Sequence, residues 1–448
     1  MGDVDGNGLV DFWVGGPARV PGKMFLQNKN GKFSSRNMPD SGYEDMGGAL
    51  FDADGDKDLD LYVVSGGNSY NPLSAPYQDR LYSNDGKGNF TISEHSLPVE
   101  YNSGSCVSAN DFDKDGDLDL FVGGRVVPTK YALTPQSFIL KNNGKGKFEN
   151  ATVSVCPALE NIGMVTAATW TDFDHDGWMD LIVTGEWMPV CFFKNDKGIL
   201  RKDASDPLVE AATGWWFSIA AADFDKDGDI DYVAGNLGLN NKFKPSDKKP
   251  VSVYAKDFDG NGTYEPILTY YLNDEEYTIA DRDQISSVMP VIKKKFDTYT
   301  KFSEAGFTKM FSDQEKEDAI VLRAGTFASV YLENKGNGKF AMHQLPVRCQ
   351  FAPIQSMKVL DFDKDGNLDI LMAGNFYSPE FMTGRYDASI GLYVRGDGKG
   401  NFKAMTAAES GIRIQGDARV LADIKINNKP AFIAGVNKGK LQVYRVNN

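Results

Sequence analysis

The sequence predicts an all-β fold, a seven-bladed β-propeller of four-stranded blades with acidic metal loops and a small helical insertion. Three observations carry this expectation. One nine-residue acidic phrase recurs along the 448 residues, apolar strand-like runs bracket its copies, and Asn/Gly turns follow further on. Self-similarity at a regular spacing sets the architecture before any single element does.

The phrase reads DVDGNGLVD at 3–11, DADGDKDLD at 52–60, DFDKDGDLD at 111–119 and DFDHDGWMD at 172–180. It returns as DFDKDGDID at 223–231, DFDGNGTYE at 257–265 and DFDKDGNLD at 361–369, with a worn copy, DIKINNKPA, at 423–431. A solvated Asp/Gly turn would account for one copy, not for seven. Oxygens at positions 1, 3, 5 and 9 converge on one point if position 6 makes a sharp turn, which Gly does at no cost in positive φ. Six to eight oxygens at about 2.4 Å, one of them a backbone carbonyl, suit calcium; magnesium demands a stricter octahedron and fewer protein ligands.

The candidate ligands are therefore Asp3, Asp5, Asn7 and Asp11; Asp52, Asp54, Asp56 and Asp60; Asp111, Asp113, Asp115 and Asp119; and Asp172, Asp174, Asp176 and Asp180. Further along they are Asp223, Asp225, Asp227 and Asp231; Asp257, Asp259, Asn261 and Glu265; and Asp361, Asp363, Asp365 and Asp369. An EF-hand would need Glu at position 12 and flanking helices. Position 12 is instead Val14, Val63, Val122 or Val183, inside apolar runs. The loops thus join β-strands. The copies at 111, 172, 223 and 361 are complete and rank first. Lys57 takes the Gly position of the second loop and strains it, and the 423 copy, with a single Asp, is read as empty.

A short apolar strand precedes each loop, as in CVSAND (106–111) or FSIAAAD (217–223), and a β-rich run ending in Gly follows, as in DLFVGG (119–124), DLIVTG (180–185) and DILMAG (369–374). A third strand then reaches an Asn/Gly turn and an aromatic or apolar residue, as in LYSNDGKGNF (81–90), LKNNGKGKF (140–148) and YLENKGNGKF (331–340). Gly-rich turns between short strands are hairpin signals. Four-stranded units repeated radially close into a propeller, which leaves few exposed edges.

These units resemble the FG-GAP and VCBS repeats of integrin-α-type propellers, in which D-x-D-x-D-G-x-x-D is the calcium loop. GNLGLNNKF (235–243), DFDGNGTYEPILTYY (257–271), TFASVYLENKGNGKF (326–340) and GRYDAS (384–389) bring the chain closer to Bacteroidota FG-GAP repeat proteins of the ASPIC/UnbV-associated type. The resemblance implies a calcium-bound, exported propeller of the extracellular space or cell envelope.

Loops at 3, 52, 111, 172, 223, 361 and 423 count seven blades, with the 257 loop an extra hairpin in the fifth unit; counted separately it would make eight. The whole of 1–448 reads as one propeller. Its first blade lacks a leading strand, and its last has strands near 418–426, 430–435 and 440–446 and then stops. This reads as a chain truncated at its N-terminus, or as a natural start with an irregular first blade. Residues 273–325 break the strand grammar. DQISSVMPVIKKKF (283–296) and TKMFSDQEKEDA (308–319) read as helical, with Pro290 permitting a break, and the insertion is placed as a cap over part of one face.

Composition sets outer limits. There are 62 acidic and 48 basic residues, 3 His, and 4 Cys that form no CxxC pair. No run of about 18 apolar residues spans a membrane, and no export signal follows Met1. No RNP, KH or basic-aromatic pattern points to nucleic acid. Positions 1, 3, 5 and 9 of the seven strong loops hold 26 of the acidic residues; without them 36 acidic face 48 basic, so the formal charge of −14 is a property of those ligand positions.

With loops on one face, the longer second-to-third-strand connections fall on the other, where binding residues favour a rigid scaffold. They carry the candidate ligand-binding residues Arg125, Glu186, Trp187, Asn240, Tyr377, Arg385 and Tyr386. Aromatics beside Arg, Asn and Glu suit a glycan or protein ligand. The leading function is a non-catalytic binding, adhesion or assembly module. The alternative is a carbohydrate-active enzyme of polysaccharide lyase or dehydratase type, for which Glu186, Arg385 and Tyr386 form the one constellation to test. No catalytic residue is assigned.

Overall fold

The computed structural model describes residues 1–379 and 383–445. These form eight antiparallel sheets. In five of them strands pair in chain order and a strong acidic loop closes the hairpin between the first two strands, and in the first sheet the 3–11 loop, bridged from Gly2 to Asp11, precedes the first strand. The second sheet is typical, with strands Asp45–Phe51, Asp60–Ser65, Arg80–Ser83 and Thr91–Ile92.

Strand composition follows position. Second strands such as Asp60–Ser65, Asp180–Met188 and Asp369–Ala373 are buried along their whole length. A strand packed by neighbouring sheets on both faces must be apolar at consecutive positions rather than alternating. First strands are built from small residues, as in SGSCVSAN (Ser103–Asn110) and SIAAA (Ser218–Ala222), and are only partly buried. They crowd together at the centre, where bulk does not fit.

Those first strands touch in succession: Asp45–Phe51 against Ser103–Asn110, then Met164–Thr171, Ser218–Ala222, Ser356–Leu360 and Ala418–Ile426. The last sheet meets the first, with Phe12 packed among Ile424, Ala431 and Ile433. Gln27 Nε2 donates to Lys425 O at 3.0 Å across the same junction. The sheets form a closed ring. Aromatic stacks fill the wedges between sheets, such as Phe192 against Phe340 at 4.5 Å and Phe112 against Trp170 at 5.8 Å. Each such buried side chain contributes roughly 1.5–3 kcal/mol. The first sheet (Phe12–Val14, Lys23–Gln27, Phe33–Asn37) and the last (Ala418–Ile426, Lys429–Val436, Gln442–Arg445) have three strands each. Position 446 of the strand read at 440–446 lies outside the described residues.

A recurring side-chain contact knits the ring together. In four sheets, the Asn that opens the third-strand turn reaches the second-position carbonyl of the preceding sheet's acidic loop. Asn84 donates to Val4 O at 2.8 Å, Asn142 to Ala53 O at 2.9 Å, Asn195 to Phe112 O at 2.7 Å and Asn334 to Phe173 O at 2.9 Å. Gln27, one methylene longer, reaches instead the third-position carbonyl, Lys425 O, where the ring closes.

The insertion is larger than 273–325. The fifth sheet is interrupted between Asp231–Gly235 and Val330–Asn334, which pair directly. Within the interruption, Val251–Lys256, Glu265–Leu272, Glu275–Thr278 and Ile320–Ala324 form a sheet of their own. The 257 hairpin therefore belongs with the helical stretch, because Val251–Lys256 finds its second partner in the returning strand Ile320–Ala324. The helices Arg282–Val288 and Pro290–Lys295 break at the proline, and a capping box between Asp281 and Gln284 starts the first. Phe307, Met310, Ile285 and Ile292 give the insertion its own core. It docks on the ring through Phe243 and Val253, which share a cluster with Trp187, Trp215 and Phe327. Residues 251–325 are not among the described residues that line the central cavity, and the unit packs beside Trp187 and Tyr386.

Candidate functional site

The acidic loops share one backbone course. Position 6 has positive φ, from Gly8 at 82° to Gly116 at 99°, and Lys57 is forced to 76° in the second loop. Position 4 is also left-handed, with Lys114 at 60°, His175 at 57°, Lys226 at 64° and Lys364 at 62°. Position 1 accepts the position-6 N–H, as in Gly177 N to Asp172 Oδ2 at 2.9 Å and Gly366 N to Asp361 Oδ2 at 3.0 Å. Position 5 turns one oxygen to the position-7 N–H, as in Trp178 N to Asp176 Oδ1 at 2.9 Å. Position 9 is fully buried and serves both strands: Asp180 accepts from Phe173 N at 3.0 Å and from Asn195 N at 2.7 Å.

This course gathers carboxylates with ligand oxygens within 4.8 Å of one another. The groups include Asp3, Asp5 and Asp11; Asp52, Asp54 and Asp60; Asp111, Asp113 and Asp115; Asp172, Asp174 and Asp180; and Asp223, Asp225 and Asp231. Asp423 of the worn copy instead pairs with Lys358 at 2.7 Å. Burial pushes Asp119 and Asp180 up to about 7, and Asp60 and Asp231 up to about 6, because removing a carboxylate from water disfavours its charge.

The donor set fits a hard cation. Asp111 Oδ1, Asp113 Oδ1, Asp119 Oδ2, Asp174 Oδ1 and Glu265 Oε1 are buried without a hydrogen-bond partner. Each such oxygen costs about 1–3 kcal/mol if nothing meets it, and a divalent ion in the loop would meet them together.

On the other side, the channel widens into a cavity of about 790 Å³. The strand Asp180–Met188 bends there: its pairing with Gly214–Trp215 slips between Glu186 and Met188, and Trp187 has a φ of 63°. A bulky residue in that region stores roughly 1–3 kcal/mol. The bend places Glu186 Oε1 2.8 Å from Arg125 Nη2, Glu186 Oε2 3.2 Å from the Tyr131 hydroxyl that donates to it, and Trp187 Nε1 2.7 Å from the same Tyr131 oxygen. Phe217, Phe376 and Arg419 complete this part of the wall, with the Arg419 guanidinium 5.1 Å above the Phe376 ring.

Of the residues singled out for binding, Arg125, Glu186 and Trp187 come together. Tyr386 shares an apolar cluster with Trp187 and pairs by backbone with Phe376. Arg385 lies over Tyr377 at 5.2 Å, and the carboxylate of Glu186 is engaged by Arg125. Asn240 is tied to Phe351 O at 3.1 Å. Phe217, Phe376 and Arg419 were missed, because only ring closure brings their strands to one mouth. His175 lies 3.2 Å from Asp229 and His343 3.1 Å from Glu333, both on the loop side.

A family model described as FG-GAP-like repeat matches residues 3–63, 64–122 and 172–234, and the chain carries these three repeats. A search of curated proteins finds no match. Among solved structures, the chain is similar to an Agrocybe aegerita lectin described as recognising non-reducing terminal N-acetylglucosamine, at 16% identity, 90% of this chain, 78% of that one and TM-score 0.47. It is also similar to the V. cholerae biofilm matrix protein Bap1, at 11% identity, 100% and 87% coverage and TM-score 0.35. Saccharomyces cerevisiae Sqt1 aligns at 8% identity, 98% and 94% coverage and TM-score 0.46. At these scores the architecture rests on the chain's own sheet contacts.

Proposed function

We propose that the chain is a seven-bladed, calcium-stabilised propeller of the extracellular space or cell envelope, acting as a non-catalytic module that binds a glycan or protein at the channel mouth opposite its loops. The observation that carries this reading is the mouth itself. A half-buried Arg125, ion-paired to the buried Glu186, lines the cavity together with Phe217 and Phe376, with the strained Trp187 buried behind them, joining aromatic rings to a directional polar group. Calcium is supported by the orphaned loop oxygens, and the seven-blade count by the position of the 251–324 sheet outside the succession of first strands. The closer resemblance to ASPIC/UnbV-associated proteins belongs to the same reading. No helix among the described residues is long and apolar enough to cross a membrane.

A carbohydrate-active enzyme at the same mouth needs an acid and a base that converge on the sugar. Glu186 is engaged by Arg125 at 2.8 Å, so it meets a sugar as acid or base only by breaking that contact. The test is electrophoresis of the full chain through gels containing acidic or neutral polysaccharides. Retardation lost in Arg125→Ala and Phe376→Ala supports a glycan ligand at the mouth. Retardation unchanged by both places any glycan elsewhere, and product release from a polysaccharide would establish the enzymatic reading instead.

A further inference from the structure

The complete loops, equal by sequence, differ in what stands over them. In the repeats of the 111, 172 and 361 loops, the residue before the third-strand turn position (Asn142, Asn195 and Gly396) faces loop positions 3 and 5. Over the 111 loop it is Lys141, whose ammonium bonds Asp113 and lies 3.3 Å from Asp115. Over the 172 loop it is Lys194, bonded to Asp174 and 3.2 Å from Asp176. Over the 361 loop it is Arg395, with Nε 2.7 Å from Asp363 and Nη2 2.8 Å from Asp365.

Over the 223 loop the same position is Glu333, drawn aside by Lys335 and, at 3.1 Å, by His343. Over the 52 loop it is Ser83. Among the described residues no basic side chain forms an ion pair with Asp225, Asp227, Asp54 or Asp56. The orphaned oxygens at Asp113, Asp119 and Asp174 show that a single ammonium does not satisfy these loops. Asp119, fully buried, keeps Oδ2 without any partner beneath Lys141.

We infer that Lys141, Lys194 and Arg395 are built-in competitors of calcium, dividing the loops into two affinity classes. The inference rests on the calcium reading above. At 52–60 and 223–231 the ion meets carboxylates at positions 3 and 5 to which, among the described residues, no basic side chain is ion-paired, Lys335 acting on Asp225 and Asp227 only from a distance. At 111–119, 172–180 and 361–369 it must displace a tethered cation or share oxygens with it, weakening binding about tenfold or more per loop by like-charge repulsion at contact distance. The three basic side chains then also hold their loops together when calcium is scarce.

Calorimetric titration of calcium chloride into the chelator-stripped full chain tests this. The parent chain is expected to show a tight class and a weak class. The triple variant Lys141→Met, Lys194→Met, Arg395→Met moves three sites from the weak class to the tight one. Asp227→Asn weakens a tight site and leaves the weak class in place. Should the triple variant fail to fold, Lys141→Met alone shifts one site. Calcium binding that is identical in parent and Met variants overturns this inference while leaving calcium binding intact. No heat and no change in thermal midpoint at millimolar calcium overturns the calcium reading itself.

Discussion

Acidification should act in opposite directions on the chelated and calcium-loaded chains. The buried position-9 carboxylates carry the effect. Asp119 and Asp180 rise to about 7 and Asp60 and Asp231 to about 6 in the folded chain without a cation, against an ordinary value of 3.8. A folded-state value above the unfolded one means that folding takes up protons between the two. The metal-free fold is therefore penalised above the folded value, and the penalty is relieved as pH falls from 8 through 7 and 6. One unit corresponds to about 1.4 kcal/mol, so the full penalty on Asp60 is about 3 kcal/mol, of which about 1 kcal/mol is relieved between pH 8.0 and 5.5 and the rest as pH falls toward 3.8. A bound divalent ion removes the penalty by pairing the charge, so its benefit is largest at pH 8 and shrinks as protons compete below 7. Thermal unfolding is followed by circular dichroism at pH 8.0 and 5.5, in chelator and in millimolar calcium. In chelator the midpoint should be higher at pH 5.5 than at 8.0. The gain from calcium should fall by at least half over the same interval. A gain equal at both pH values, or a chelated chain that loses stability on acidification, would refute the argument that these carboxyls are desolvated and meet the ion.

Two further perturbations probe closure and loop strain. Gln27→Ala removes the buried amide that bonds Lys425 O at 3.0 Å and Val10 O at 2.9 Å, leaving both carbonyls without that donor at the first-to-last junction; urea unfolding should show a loss of about 1–3 kcal/mol, whereas an unchanged midpoint would mean the junction is held by Phe12 and its apolar neighbours alone. Lys57→Gly relieves a side chain held at a φ of 76° in the second loop and should raise the thermal midpoint in calcium, the relief of left-handed strain being about 1 kcal/mol.

The loops were legible because their chemistry lies within nine residues: spacing alone delivers Asp172, Asp174 and Asp180 to one point, and the Gly at position 6 announces the turn. Second strands were legible from continuous apolar runs, and the helical break at Pro290 from the missing amide proton. What escaped reading depends on distant pairing. Lys141 is 28 residues from the Asp113 it bonds, and Arg125 is 61 from Glu186, with no local pattern linking either pair. The insertion was cut short at 273 because Val251–Lys256 reads like a ring strand; its membership follows from pairing with Ile320–Ala324. The left-handed backbone of Trp187 has no sequence signal, since Trp is not a residue that prefers it.

Neighbouring loops are joined along the rim as well as through the Asn contacts. The position-4 side chain of one loop reaches position 7 of the next: the Lys114 ammonium lies 4.2 Å from the centre of the Trp178 ring, His175 Nε2 lies 3.2 Å from Asp229 Oδ1, and Lys226 Nζ donates to Asn367 Oδ1 at 2.7 Å. Position 4 projects outward because its left-handed φ turns it there, so the residue that shapes one loop also reads the state of its neighbour. The chain's net charge of −14 is thus unevenly placed. Three loops carry part of their own compensation in Lys141, Lys194 and Arg395, while the 223 loop, adjoining the 172 loop through His175 and the 361 loop through Lys226, has no ion-paired basic side chain on Asp225 or Asp227. An ion entering there changes the charge felt on both sides of the least compensated complete loop. The distribution of that charge, rather than its sum, follows from this arrangement: it depends on which loops hold a side-chain cation over their carboxylates and which do not.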